Sequence, residues 1–157
     1  MRSFALAIAA LILLSSCTDD PVPIEPTATA SSTTIPKPKM HDEARKDTSN
    51  GAATFVAYWV ETFNYAAQTG EVDPMMEHAR DCTPCREYAA RFRGLKPSKR
   101  ADGAVWKLSN VSISSDRDPI KVAATVDVSG EDSPGQLTFV LNDQPPYELR
   151  DIYMRSG

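Results

Sequence analysis

Hydrophobic periodicity changes once along this chain, and that change constrains the fold more than any other feature. From Ser49 onward, Ala52, Phe55, Val56, Trp59, Phe63 and Ala66 recur at three- and four-residue steps, with Val60 and Ala67 at one edge. This spacing lays one apolar stripe along a helix. Thr48 or Ser49 can cap its start, and Gly70 supplies the left-handed residue that commonly ends a helix. Asp73-Pro74 predicts a short helix through Met75, Met76 and Ala79. Thr83-Pro84 predicts a third, with Cys85, Tyr88, Ala89 and Phe92 on one face, stopped by Gly94 and Pro97.

After Gly103 the period becomes two. Residues 105–114, 120–129, 136–142 and 147–155 read as strands separated by Asp-, Gly- and Pro-containing turns. Ile120, Val122, Ala124, Val126 and Val128 alternate with polar neighbours, and Leu137, Phe139 and Leu141 repeat the pattern. In the first strand Trp106 and Leu108 keep one phase while Val111 and Ile113 keep the other, which predicts a bulge near Ser109 or Asn110. Helices first and short-loop strands afterwards predict an α+β domain: three N-terminal helices packed on a bent antiparallel sheet of about four strands.

Ahead of the periodic region lie two segments of other character. Residues 1–17 read MRSFALAIAALILLSSC, with one positive charge at Arg2 and eleven uninterrupted apolar residues from Phe4 to Leu14. A membrane-spanning helix needs about 20 apolar residues, so this run fits a signal-peptide core. Leu14-Ser15-Ser16-Cys17 resembles the bacterial lipobox, which implies cleavage before Cys17 and lipid on its sulfur. Residues 18–48 are rich in Pro, Thr, Ser and Ala, without aromatic residues or apolar periodicity, and a segment of this kind cannot build a core. The expected organisation is a signal peptide over 1–16, a lipidated N-terminus and disordered tether over 17–48, and one globular α+β domain over 49–157.

The formal net charge of −4, from 17 Lys and Arg against 21 Asp and Glu, argues against nucleic acid as a partner. Phosphate binders present a clustered basic face, and here the densest basic run is Lys96, Lys99 and Arg100 around Pro97.

The order of a long first helix and a bent sheet resembles the cone-shaped fold of the nuclear transport factor 2 superfamily, which includes ketosteroid isomerase. The arrangement as a whole is a lipobox, a Thr/Pro-rich stalk, then GAATFVAYWVETFNYAAQTGEVDPM running into CTPC. It resembles an actinobacterial lipoprotein family known only as a domain of unknown function, which carries an aromatic helix and a Cys-x-x-Cys pair.

Cys82-Thr83-Pro84-Cys85 is the most specific local pattern in the expected domain, and three readings of it stay open. A structural disulfide fits the oxidising space outside the membrane and staples the start of the third helix. A redox pair would exploit a helix N-terminus that stabilises the thiolate, although thioredoxin-type sites follow a strand of a parallel sheet. A metal site would add His78, giving three ligands where structural zinc wants four. His41 stands apart in the tether, and Arg86 in place of a histidine excludes the usual haem attachment motif.

An isomerase reading, from the fold resemblance, requires an acid inside the cone beside a donor such as Tyr. Asp127 and Asp151, the latter near Tyr153, are the acids in question, and both read better as surface residues. Trp59, Phe63, Tyr88, Phe92, Trp106 and Phe139 either form plain core or line a pocket between helices and sheet. Tyr58 and Tyr65 flank the first helix's stripe. Serine nucleophile elbows, phosphate-binding glycine loops and two-histidine metal motifs do not occur in the sequence, and no cofactor is expected. The expectation is therefore a non-catalytic binding module on the outer face of the cell membrane, held by lipid on Cys17. Its partner would be an envelope protein or a small apolar ligand. An isomerase- or hydratase-like enzyme and a thiol oxidoreductase are the alternatives.

Overall fold

A computed structural model describes residues 34–115 and 119–154. The leader, Cys17 and tether residues 18–33 lie outside the described residues. Helix α1 runs from Ser49 to Thr69. The Thr48 hydroxyl caps it by accepting the Gly51 N–H at 2.9 Å. Gly70, at φ +77°, closes it with an N–H donated to the Ala66 carbonyl at 2.8 Å. Both ends match the sequence expectation.

The folded part begins earlier than residue 49, and the expected tether boundary is corrected to about Met40. Asp42–Arg45 form a 3₁₀ turn that buries Ala44, and Met40 packs on the core. A Cβ on Gly51 would stand 2.1 Å from the Lys46 carbonyl oxygen, so only glycine lets this turn lie on the first turn of α1. Tyr147 holds it there from the other end of the chain, donating its hydroxyl proton to the Lys46 carbonyl at 3.0 Å. One short turn held by a residue a hundred positions away leaves no periodic trace.

Helix α2 is a single turn, Asp73–Met76, and does not reach Ala79. Asp73 is inside it and makes no capping bond. The chain turns instead through Glu77–Asp81, and Ala79 is buried from that turn. The Met75 carbonyl accepts the Trp59 indole N–H at 3.0 Å, which ties this turn to α1. Helix α3 spans Thr83–Gly94. Its cap is Cys82, one residue before the expected Thr83: the Cys82 Sγ accepts the Cys85 N–H at 3.2 Å.

Four strands follow, β1 (Trp106–Ser115), β2 (Ile120–Val128), β3 (Gly135–Leu141) and β4 (Leu149–Met154), paired antiparallel in chain order. The expected phase break in β1 is a bulge. Asn110 has φ +49°, and the register shifts between Ser109↔Thr125 and Ser112↔Ala123. The extra residue lets Leu108 pair with Val126 and Ile113 with Val122 on one face, although five positions separate them.

Val122, Ala124, Val126, Leu137, Phe139 and Leu141 all turn toward the helices and are buried. Phe63 is the hub of the core. Its ring stacks on Trp106 with centroids 4.0 Å apart and meets Tyr88 and Phe92 edge-on at 5.0 Å each. Among the described residues, no helix is long and apolar enough to cross a membrane.

Candidate functional site

The space between α1 and the sheet is filled. Trp59, Phe63 and Phe139 are at most 1 % exposed, and Phe92 is buried against Phe63. Of the six aromatic residues read as either core or pocket lining, these four are core. Aromatic rings of this size bury 150–250 Å² each in general, and packed edge-to-face they close the interior. Tyr88 and the largely buried Trp106 also line a cleft.

That cleft measures about 460 Å³ and lies at one end of the sheet, against α3. Pro84 and Tyr88 of α3 form one wall, and Trp106, Val126, Leu137 and Ile152 form the floor. Its origin is local. On the inner face of β3 the position after Leu137, toward the β2–β3 turn, is Gly135, paired with Val126. Without a side chain there, a gap is left at this end of the sheet's inner face. Met154 overhangs the gap, with its methyl carbon 3.7 Å from where a Gly135 Cβ would be. Met154 is 71 % exposed and Tyr153 41 %, and both line the cleft. Val111, on β1, is the other large hydrophobic exposed among the described residues. Glu87 and Arg91 stand on the α3 side, and Glu131 on the β2–β3 turn.

Asn64 positions the floor. Its Oδ1 accepts the N–H groups of Val105 and Trp106, each at 2.9 Å, and its Nδ2 donates to the Trp106 carbonyl at 2.8 Å. The side chain thus fixes the start of β1 against α1. In the sequence Asn64 reads as an ordinary polar residue on the outer face, and nothing local distinguishes it.

Cys82 and Cys85 form a disulfide, with both residues fully buried beneath the start of α3. Burial denies attacking thiolates access to the sulfurs, which favours the structural role over exchange. Bonded to each other, they also offer no thiolate to a metal. His78 lies apart in purpose: its ring meets Phe55 and Tyr58 edge-on at 5.8 and 6.3 Å, and its carbonyl accepts the Leu149 N–H at 2.7 Å. His41 is exposed, its carbonyl starting the 3₁₀ turn.

Asp127 and Asp151 are both exposed. The Asp151 carboxylate accepts the N–H of Ile152 at 2.9 Å, and its pairing with Val140 turns it to the sheet face away from the helices. The buried polar side chains among the described residues are Thr62 and Thr138, so no carboxylate there is desolvated as an isomerase base requires. Tyr58 and Tyr65 cover the core edge and do not line the cleft. Burial pushes the Tyr58 hydroxyl above its ordinary range. The Tyr65 hydroxyl is raised chiefly by its 2.6 Å hydrogen bond to the Glu71 carboxylate.

Residues 24–121 match the model of a family described as a family of unknown function. No curated protein and no solved structure matches the chain.

Proposed function

The chain belongs to that family of unknown function, DUF6318, and we propose from its own residues that it is a lipid-anchored envelope protein whose domain binds an apolar ligand in the α3 cleft. The observation that carries the reading is the apolar-floored cleft at Gly135. Trp106, Val126, Leu137 and Ile152, themselves buried, form its floor, and exposed Tyr153 and Met154 form its rim. Small-molecule sites are concave, mostly apolar and of this volume in general.

The anchor is supported by Leu14-Ser15-Ser16-Cys17 behind an apolar run too short to span a bilayer. The Cys82–Cys85 disulfide agrees with an oxidising compartment. Lipid on Cys17 and the Pro- and Thr-rich stretch after it would present the cleft on the outer face of the cell membrane, as in the actinobacterial lipoproteins the chain resembles. The domain itself is read as a nuclear transport factor 2-like cone, supported by a long helix lying across a bent sheet. Its interior is occupied by Trp59, Phe63 and Phe139, which moves binding to the open end.

Two variants test the site without touching the core. Gly135→Leu fills the gap under Met154, and Met154→Glu puts a charge at an exposed rim position. An apolar fluorescent probe titrated against full-length protein should bind, and each variant should weaken it about fivefold or more, the equivalent of about 1 kcal/mol of lost apolar contact. Unchanged affinity in both rejects the cleft. Intact mass of protein from membranes should show diacylglycerol on Cys17, and Cys17→Ser should release the protein to the medium. An unmodified, membrane-free wild type rejects the anchor.

A further inference from the structure

The floor of the cleft holds one side-chain hydrogen-bond donor that the fold does not use. The chain has two tryptophans. Trp59, 1 % exposed, donates its indole N–H to the Met75 carbonyl at 3.0 Å. Trp106 is 6 % exposed, and its indole N–H has no partner among the described residues. Nor is that N–H sealed in: Arg100 Nε is the side-chain polar atom that is both cut off from solvent and unpaired among them. The Trp106 N–H therefore touches water, and the open space that Trp106 borders is the cleft. Two other buried residues, Tyr58 and Thr138, carry hydroxyls without a protein partner, and neither borders the cleft. The indole is also held in place. Phe63 stacks on it with centroids 4.0 Å apart, Tyr88 meets it edge-on at 5.5 Å, and Asn64 fixes its backbone N–H and carbonyl. Stacking covers the face of an indole and leaves the N–H, which lies in the ring plane, free to bond.

We infer that the Trp106 N–H is the donor that sets the cleft's specificity, and that the ligand is an apolar molecule carrying a neutral carbonyl oxygen, a ketone or an ester. This rests on the reading of the cleft as an apolar binding site. An indole N–H donates and cannot accept, so the ligand atom that meets it is an acceptor. In the free protein water takes that bond. A pure hydrocarbon strips the water and leaves the N–H covered and unpaired, whereas a carbonyl replaces it. A carboxylate is a poorer match, because one neutral donor does not offset the desolvation of a charge. Acids also outnumber bases in the lining, Glu87 and Glu131 against Arg91. The Tyr88 hydroxyl on the wall rotates and both donates and accepts, so it does not select an acceptor in this way.

The test uses the full chain in detergent and isothermal titration with two ligands of one shape, methyl naphthyl ketone and isopropenylnaphthalene, in which a carbonyl oxygen and a methylene exchange. The preference for the ketone should be about two- to tenfold larger in the wild type than in Trp106→Phe, the net worth of one neutral hydrogen bond, and partition into micelles cancels between the two proteins. Tyr88→Phe should keep the wild-type preference. In NMR spectra of the wild type, the ketone should shift the Trp106 indole N–H and slow its exchange with water, leaving that of Trp59 in place, and this readout stands even if Trp106→Phe does not fold. A preference equal in wild type and folded Trp106→Phe, one lost in Tyr88→Phe instead, or an unmoved Trp106 N–H with ketone bound overturns the donor. Tighter binding of naphthoate than of the ketone overturns the neutral ligand in favour of an anion. Binding of the apolar probe without binding of the ketone overturns the ligand class and leaves the apolar cleft standing. Failure of every ligand, the apolar probe included, removes both readings.

Discussion

Asn64→Ala isolates the contact that joins the long helix to the first strand. The wild-type amide accepts two backbone N–H groups and donates to one carbonyl, all within 2.9 Å. Alanine leaves the Val105 and Trp106 N–H groups and the Trp106 carbonyl without that partner where the helix covers them. A net hydrogen bond is worth about 0.5–1.5 kcal/mol, and a covered group left unpaired costs more, so the substitution should cost about 2–4 kcal/mol. With a urea slope of about 1.5 kcal/mol/M, the unfolding midpoint should fall by about 1.3–2.7 M. Asn64→Asp keeps both acceptor bonds and should lose roughly half as much. Gln68→Ala, one turn along the same helix, should stay within about 0.5 kcal/mol, because Gln68 bonds only within its own helix. Since Trp106 floors the cleft, probe affinity should fall with Asn64→Ala and hold with Gln68→Ala. A midpoint shift below about 0.3 M, or an aspartate as harmful as alanine, would refute the assignment of Asn64 as the clamp.

Gly70→Ala forces a left-handed φ of +77° on a residue with a Cβ and sets that carbon 2.8 Å from an Arg100 guanidinium nitrogen. It should destabilise by about 1–2 kcal/mol, and adding Arg100→Ala should recover only the steric part, leaving about 1 kcal/mol in thermal melts. Cys82→Ala/Cys85→Ala should cost about 2 kcal/mol for so short a loop. In the wild type, alkylation of reduced sulfurs followed by mass spectrometry should begin only where circular dichroism shows unfolding, and labelling of the folded protein would contradict the burial of the pair. Burial, and next the negative charge of Asp47, hold the Tyr147 hydroxyl above its ordinary value of 10.0. The folded state therefore keeps that proton longer than the unfolded chain. Stability should be level below about pH 10 and fall as pH rises further, with a shallower fall in Tyr147→Phe. An alkaline slope identical in the two proteins would show that Tyr147 does not contribute.

Local chemistry alone determined much of this protein. The apolar stripe of α1, its Thr48 cap and Gly70 stop, the alternation in β2 and β3, and the phase break at Asn110 are all readable because each depends on neighbours within a few positions. The Cys82–Cys85 pair is legible for the same reason: three positions separate the partners. What only the tertiary structure decided depends on residues far apart in the chain. Whether Phe63 and Phe139 form core or pocket turns on how rings from α1, α3 and the sheet fill one volume. Asn64 became a clamp because Val105 and Trp106 return to it some forty residues later, and residues 40–48 joined the fold because Tyr147 reaches their carbonyls. The cleft exists because an inner-face glycine at the end of β3 coincides with the side of α3 that carries Tyr88 and Arg91. A stripe is a property of one segment, whereas a gap is a property of several segments meeting, and only their assembly shows where one remains.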